Sequence, residues 1–202
     1  LTAAYGSLSV GSGTIVVYPE TTIDHFTVIP ASYVAVVGTP LAAIVTVYDS
    51  YNNPMWNYSN SSKSVIWSGP SAAPNASASF SGTTSLNFSI TPGIAQASLT
   101  FVKVETTTVT VTGSGSGTSL PITVMPGGAS TIAALLITDY PAMWVMGIDM
   151  GLVVTPYDTY GNVVYASTGA TTCTLSPVGV NPATLNGVMG GSLTKSLAGP
   201  TP

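Results

Sequence analysis

Apolar and polar residues alternate in short segments along most of the chain, with turn-forming residues between the segments. Leu8 and Val10 lie two residues apart, as do Ile15 and Val17, so each pair presents one face of an extended segment. The Gly11-Ser12-Gly13 sequence between the two pairs predicts a bend or a hairpin turn. No part of the chain keeps a helical period, and the pattern therefore predicts an all-β protein.

Residues 21–129, called the first repeat below, have the pattern of a complete β-sandwich. Short strands with turn signals between them are typical of such domains. The predicted strands cover residues 25–29, 41–48, 64–67, 86–90, 97–104, 106–112 and 120–125. A long polar loop over residues 69–85 and a glycine-rich turn over residues 113–117 lie between them. We expect an Ig-like β-sandwich.

The chain repeats itself at a shift of 109 residues, since Asp49 in Tyr-Asp-Ser-Tyr-Asn-Asn recurs as Asp158 in Tyr-Asp-Thr-Tyr-Gly-Asn. Thr21-Thr22-Ile23 likewise recurs as Ser130-Thr131-Ile132. Residues 130–202, the second repeat, are therefore predicted to form another Ig-like sandwich. This second repeat has no counterpart of residues 106–125, which are the last strands of the first repeat.

The residues that resemble those missing strands lie at the N-terminus. Gly-Ser-Gly-Thr-Ile-Val-Val-Tyr-Pro at residues 11–19 matches Gly-Ser-Gly-Thr-Ser-Leu-Pro-Ile-Thr-Val-Met-Pro at residues 115–126. We expect residues 1–20, called the N-terminal segment, to be a donor strand. It completes the second repeat of a neighbouring copy, which is incomplete and acts as the acceptor groove. Leu8, Val10, Ile15 and Val17 are the predicted anchors.

The N-terminal segment can complete the second repeat in two ways. The N-terminal segment either folds back within its own chain or inserts into another copy, and whether it enters as one strand or as a hairpin stays open. The whole first repeat separates the donor from the groove, which favours insertion into another copy. Such a contact is head-to-tail and does not close on itself, so it propagates as a filament. The predicted partners are therefore copies of the same chain.

Charge is scarce, because lysine contributes three residues and acids seven among 202, or 5% of the chain, against about a quarter in ordinary domains. So few lysines exclude a basic surface for nucleic acid. So few carboxylates leave little stability to lose by protonation, which suits an acidic exterior. A glycan-covered surface that needs no charge for solubility is the other interpretation, and both can hold together. No apolar run is long enough to span a bilayer, and the start at Leu1 is typical of a processed N-terminus.

Asn-x-Ser sequons occur only in the first repeat and predict N-glycosylation of an exported chain. The acceptor residues are Asn57, Asn60, Asn75 and Asn87. Asn87 falls inside a predicted strand, whereas the other three fall in or beside polar loops. Covalent glycans are expected, and no other cofactor.

No cluster of residues predicts catalysis or metal binding, so the chain is predicted not to be an enzyme. His25 is the only histidine, and adjacent Asp24 is expected on the opposite face of the strand, where it does not assist acid–base chemistry. The acids are scattered, so Asp49 and Asp158 are expected to cap their own turns rather than to hold Ca²⁺. The single cysteine, Cys173, excludes an intrachain disulfide and is expected to be a small buried side chain.

A few rare side chains leave alternatives open. Lys103 alternates with Leu99 and Phe101, which points it inward and leaves open an isopeptide bond to an asparagine. Extension of its ammonium group to solvent is favoured. The tryptophans, which are Trp56, Trp67 and Trp144, are expected in the core or in a subunit interface rather than at a sugar-binding platform.

The duplicated Tyr-Asp-x-Tyr-(Asn/Gly)-Asn turn resembles that of Ig-like repeats in prokaryotic surface adhesins. The two-repeat layout, the N-terminal donor, the charge-poor composition and the sequons resemble the archaeal thread filament subunit of thermoacidophiles. Threads are extracellular, N-glycosylated and joined by donor-strand complementation. The resemblance implies a structural subunit of a cell-surface filament that serves adhesion or biofilm cohesion. The alternative is a fragment of a multi-repeat Ig-like adhesin that binds a partner and whose second repeat is completed by residues beyond Pro202.

Overall fold

The computed structural model describes residues 2–127, 131–138 and 153–164, together with the backbone of residues 171–175, 184–185, 188–189 and 193–197. In chain order the strands are β1 (Thr2–Tyr5), β2 (Leu8–Gly11), β3 (His25–Pro30), β4 (Val34–Val36), β5 (Pro40–Tyr48), β6 (Lys63–Ser64), β7 (Ile66–Ser68), β8 (Ser81–Gly82), β9 (Ser85–Leu86), β10 (Ile94–Thr100), β11 (Thr106–Thr107), β12 (Thr110–Thr112), β13 (Ser116–Thr118), β14 (Ile122–Met125), β15 (Ile132–Thr138), β16 (Val153–Asp158), β17 (Thr171–Leu175), β18 (Thr184–Leu185), β19 (Val188–Met189) and β20 (Leu193–Leu197). Within these residues no helix is long and apolar enough to cross a membrane. The all-β prediction is confirmed.

The first repeat is a two-layer sandwich. One sheet has the strand order β7-β12-β13-β3-β5-β10-β8, and the other has the order β11-β14-β4. Alternate residues of β5, including Val45 and Val47, and alternate residues of β14, which are Ile122 and Val124, belong to one buried cluster. Because period-two alternation puts every second side chain on the inner face, the two sheets share this core. The Ig-like sandwich class is as predicted, whereas completion of the second repeat by a donor strand is a proposal taken up below.

The predicted strand over residues 106–112 is wrong as a single element. β11 pairs with β14 in the smaller sheet, whereas β12 pairs with β13 and β7 in the larger one. Between them the Val109 N–H donates to the Ser119 hydroxyl oxygen at 3.0 Å, and the Ser119 N–H donates to the Val109 carbonyl at 2.9 Å. The chain therefore crosses between the sheets with its buried backbone groups satisfied.

The predicted strand over residues 97–104 also differs from the observed one, because β10 ends at Thr100. The backbone beyond it bonds to other partners. The Phe101 carbonyl accepts the Gly38 N–H at 2.8 Å, and Val102 and Val104 bond to Asn162 of the second repeat. Phe101 and Val102 are buried, and the stretch belongs to no sheet ladder.

The predicted strand over residues 86–90 is reduced to β9, Ser85–Leu86. The Asn87 side-chain oxygen accepts the Ser89 N–H at 2.9 Å and the Ser89 hydroxyl at 2.7 Å. An asparagine that bonds two residues ahead turns the backbone out of the extended form. The sequon itself therefore ends the strand.

The second repeat begins with a hairpin that copies the first repeat's hairpin. β3 pairs with β5 so that Ile29 faces Ile44, and β15 pairs with β16 so that Thr138 faces Val153. Both residues of the second pair lie 109 positions after those of the first. The sequence repeat is thus a repeat of strand register as well, with one bulge between Ile132 and Ala134.

The N-terminal segment forms a hairpin of its own, in which β1 pairs with β2. Its turn lies at Gly6, whose φ is +61°, a value that favours glycine. Gly11 ends β2, and Ser12 and Gly13 form neither a turn nor a bend, so the bend or hairpin turn predicted at Gly11-Ser12-Gly13 is wrong. Residues 12–19 belong to no strand in the single chain, and the pairing of Ile15 and Val17 on one strand face stays a prediction.

Candidate functional site

The turn that follows β5, residues 48–53, is organised by one buried carboxylate. Asp49 Oδ1 accepts the Tyr51 N–H at 3.0 Å and the Asn53 N–H at 2.8 Å. Its Oδ2 accepts the Asn53 side-chain amide at 3.1 Å. Asn52 has a φ of +66°, in the left-handed region that asparagine tolerates. The predicted role of Asp49 as the cap of this turn is confirmed. Residues 48–53 are called the Asp49 turn below.

The turn that follows β16, residues 157–162, repeats this arrangement and is called the Asp158 turn. Asp158 Oδ1 accepts the Tyr160 N–H at 2.8 Å and the Asn162 N–H at 2.9 Å, and its Oδ2 accepts the Asn162 amide at 3.0 Å. Gly161 takes the positive φ, +83°. The two turns therefore fix the backbone at their tyrosine and the side-chain amide of their last asparagine in the same way.

The Asp158 turn docks on the end of the first repeat. Asn162 Oδ1 accepts the Val104 N–H at 2.9 Å, and its Nδ2 donates to the Val102 carbonyl at 3.0 Å. The Tyr160 ring packs against the first repeat's core. A Cβ at Gly38 would lie 3.1 Å from this ring, and Gly38 has a φ of +75°. One turn thus fills the position beside a glycine and satisfies two backbone groups of another repeat.

The polar loop of the first repeat completes this contact. Asn75 Nδ2 donates to the Thr159 carbonyl at 2.9 Å, and the Asn75 N–H donates to the Tyr160 carbonyl at 3.2 Å. The sequence pattern predicts residues 69–85 as a polar loop with a glycosylation acceptor at Asn75 and misses this docking role. No local pattern signals it, since the two partners lie more than 80 positions apart in the chain.

The Asp49 turn has a different neighbour, which is the N-terminal segment. The Glu20 N–H donates to Asp49 Oδ2 at 3.1 Å, and the Ser50 hydroxyl donates to the Glu20 carboxylate at 2.9 Å. Tyr18 lies against Trp56 with ring centroids 5.1 Å apart. The N-terminal segment is therefore held at its end, beside the turn. The rest of it lies exposed.

The exposed part contains all four predicted anchors. Relative exposure is 73% for Leu8, 68% for Val10, 57% for Ile15 and 81% for Val17. In the sequence match, Ile15 corresponds to Ile122 and Val17 to Val124, which are 0% and 1% exposed in β14. The segment thus carries the inward-facing pattern of a closing strand but buries none of it.

The sequon asparagines are all exposed. In three of them, Asn60, Asn75 and Asn87, the side-chain oxygen accepts the N–H of the serine two residues ahead, at 2.9, 3.1 and 2.9 Å. Asn57 is exposed beside them. Glycosylation at the four positions stays a prediction.

The expectation for His25 and Asp24 is wrong. His25 Nδ1 lies 2.9 Å from Asp24 Oδ2, because Asp24 precedes β3 and does not follow the alternation of a strand. The His25 ring also stacks on Tyr48 with centroids 5.0 Å apart. Across the described residues, no three His, Cys, Asp or Glu side chains group as metal ligands.

The other singled-out side chains have ordinary surroundings. The Lys103 ammonium lies 3.5 Å from the Glu105 carboxylate, with the lysine side chain 39% exposed, as extension to solvent predicts. Trp67 packs against the core and donates its indole N–H to the Thr83 carbonyl at 2.7 Å. Trp56 is 52% exposed beside the N-terminal segment. Trp144 and the Cys173 side chain lie outside the described residues.

Replacing Asp49 by asparagine is expected to destabilise the chain at neutral pH and to matter less in acid. Burial raises the pKa of Asp49, but the hydrogen bonds from Asn53, Glu20 and Tyr51 together lower it by more, so the pKa lies below the ordinary 3.8. A lowered pKa means that the carboxylate stabilises the fold above pH 3.8 and loses this effect as the pH falls below that value.

Urea midpoints of wild type and Asp49→Asn, measured at neutral pH and at several values below 3.8, test this prediction. The gap between the two midpoints should narrow as the pH falls. A gap that stays constant across the series would contradict the assignment of this carboxylate.

Comparison with known proteins finds likeness only among solved structures. No family model and no curated protein matches this chain. Domains 4–9 of the surface layer protein SbsC are 18% identical, with 99% of this chain and 31% of that one covered at a TM-score of 0.35. FdeC, an adhesin of Escherichia coli, is 19% identical, with 88% and 57% covered at 0.45. Invasin, a bacterial integrin-binding protein, is 15% identical, with 99% and 39% covered at 0.41.

The chain thus spans about a third of the SbsC structure and just over half of the FdeC structure, at 31% and 57%. At these identities the likeness concerns the fold alone.

Proposed function

We propose that this chain is a structural subunit of an extracellular filament that polymerises head-to-tail. The N-terminal segment of one copy inserts as the closing strand of an Ig-like repeat in the next copy. The low charge and the exposed sequons support a glycosylated surface filament in an acidic exterior, of the thread type, which serves adhesion or cell cohesion.

One observation carries the proposal. Ile15 and Val17 are exposed, although they correspond to Ile122 and Val124, which close the core of the first repeat. Soluble proteins seldom leave such a patterned apolar segment uncovered unless another molecule covers it. An Ig-like repeat without a closing strand offers both an apolar groove and unpaired backbone groups, which are the features that strand insertion requires.

The energy available is large. Burial of four anchors at about 1.5–3 kcal/mol each amounts to roughly 6–12 kcal/mol before the entropy of ordering the segment is subtracted. Ladder hydrogen bonds add to this figure. We therefore expect a contact that is tight and slow to dissociate, as a filament joint must be.

The test is electron microscopy of the full chain beside a version without residues 1–18. Filaments are expected from the full chain only, and the truncated chain should be a monomer that binds a peptide of residues 1–18. Monomers from both versions would overturn the proposal. A full-length monomer that unfolds only after truncation would instead establish closure within one chain.

A second candidate function is a piece of a multi-repeat adhesin that binds a partner. The direct docking of the Asp158 turn on the first repeat favours it, because tandem arrays in one chain are built from such contacts. The mass of the mature native protein decides between the two candidates. After deglycosylation, a mass well above 20.4 kDa supports the adhesin, and a mass near that value supports the subunit.

A further inference from the structure

We infer that the Asp49 turn is a docking surface for the end of an Ig-like repeat of a second copy, with Tyr51 and Asn53 in the positions that Tyr160 and Asn162 hold within the chain. The inference rests on the proposed function, because that function supplies the second copy. It goes further by adding a second contact to each joint, separate from the inserted strand.

The Asp49 turn and the Asp158 turn are closed by the same hydrogen bonds. Asp49 and Asp158 accept the same three N–H groups of their own turns, at closely similar distances. The backbone at Tyr51 and the side chain of Asn53 are therefore preorganised as those of Tyr160 and Asn162 are, so docking orders little beyond the Tyr51 ring.

The two turns differ in how far other residues cover them. Asn162 is 4% exposed and Tyr160 packs against the first repeat, whereas Tyr51 is 74% exposed and Asn53 is exposed as well. An exposed tyrosine on a turn with a fixed backbone is the kind of residue that dominates protein–protein contacts. The same surface is covered in one repeat and uncovered in the other.

The position of the N-terminal segment beside the Asp49 turn indicates that the partner is a second copy. The N-terminal segment ends against the Asp49 turn through Glu20. A repeat of another copy that takes this segment as its closing strand is therefore brought to the same turn. Within the chain, β14 likewise closes the first repeat, and only five residues separate Pro126 from Ile132 of the next hairpin; three residues separate the matching Pro19 from Ile23.

The end of the first repeat shows what such a partner surface looks like. It offers a glycine with room for a tyrosine ring, Gly38, and backbone groups at Val102 and Val104 that pair with an asparagine. The sequence has a glycine at the corresponding position of the second repeat, Gly147, at the same shift of 109 residues. A second copy of this chain therefore fits the Asp49 turn better than an unrelated protein.

The test uses the full-length chain with p-benzoylphenylalanine at position 51, assembled and then irradiated. We expect cross-links between copies, which mass spectrometry should map to residues 130–202. Position 90 provides the matched control, because Ile90 is 83% exposed in the same repeat but lies outside the turn; it should give no such cross-link. Cross-links only within one chain, or none from position 51, would overturn the inference.

A variant adds a quantitative arm. Tyr51→Ala should leave the melting temperature of the monomer unchanged, since the side chain is 74% exposed, and should speed filament dissociation roughly 10- to 100-fold. Filaments that form through strand insertion but dissociate at the wild-type rate would overturn the inference and leave the proposed function standing. A wild-type chain that stays monomeric would overturn both.

Discussion

An aspartate at position 15 or 17 is expected to abolish filament formation, whereas an aspartate at position 16 should leave it intact. The three residues are consecutive, apolar and exposed in the single chain, with Val16 at 60%. They differ only in their counterparts. Ile15 and Val17 match the buried Ile122 and Val124 of β14, whereas Val16 matches the exposed Thr123.

The size of the effect follows from what the inserted strand buries. Replacing Ile15 or Val17 removes about 1.5–3 kcal/mol of apolar burial. A carboxylate placed without a partner in a core costs several kcal/mol more. The two terms together exceed roughly 5 kcal/mol, which is more than a thousandfold in the dissociation constant. At position 16 the carboxylate stays in water and costs little.

Sedimentation and electron microscopy of the three single variants measure this difference. Each variant should keep the wild-type melting temperature as a monomer, because none of the three side chains is buried in the single chain. Assembly that fails equally at all three positions would show a general effect of negative charge. Assembly that survives at all three would remove residues 15–17 from the joint.

The core of the first repeat is the part that the sequence predicts well. In β14, and in β5 from Ala43 on, every second residue is apolar and buried, and period two is the signature of a strand with one covered face. The predicted strand over residues 106–112 fails because its threonines and valines all favour a strand, although the chain changes sheet among them. Alternation reports only which face is buried and contains no information on which sheet the strand joins.

The docking site could be predicted only in part. The duplicated Tyr-Asp-x-Tyr motif is visible in the sequence and correctly indicates two aspartate-capped turns. The same motif gives no hint that Asn162 is buried against the first repeat and that Asn53 is exposed, since the difference lies in distant residues such as Asn75. Local chemistry determines the turn, whereas the position in the array determines what covers it.

The duplicated asparagine also allows the repeat–repeat contact to be measured. In a monomeric background with aspartates at positions 15 and 17, Asn162→Ala is expected to destabilise the chain far more than Asn53→Ala. Both changes remove one amide hydrogen bond to the aspartate of the turn. Only Asn162→Ala also leaves the Val104 N–H and the Val102 carbonyl of the first repeat without their partner.

The expected losses in free energy of unfolding are about 1 kcal/mol for Asn53→Ala and about 3–5 kcal/mol for Asn162→Ala, because a buried group left unpaired costs about 1–3 kcal/mol. Urea denaturation followed by tryptophan fluorescence measures both. Asn162→Ala should in addition separate the transition into two steps, since the repeats then unfold with less coupling. Equal losses from the two variants would mean that the Asp158 turn does not hold the repeats together in solution. The docking proposed for the Asp49 turn would then lose the contact on which it is based.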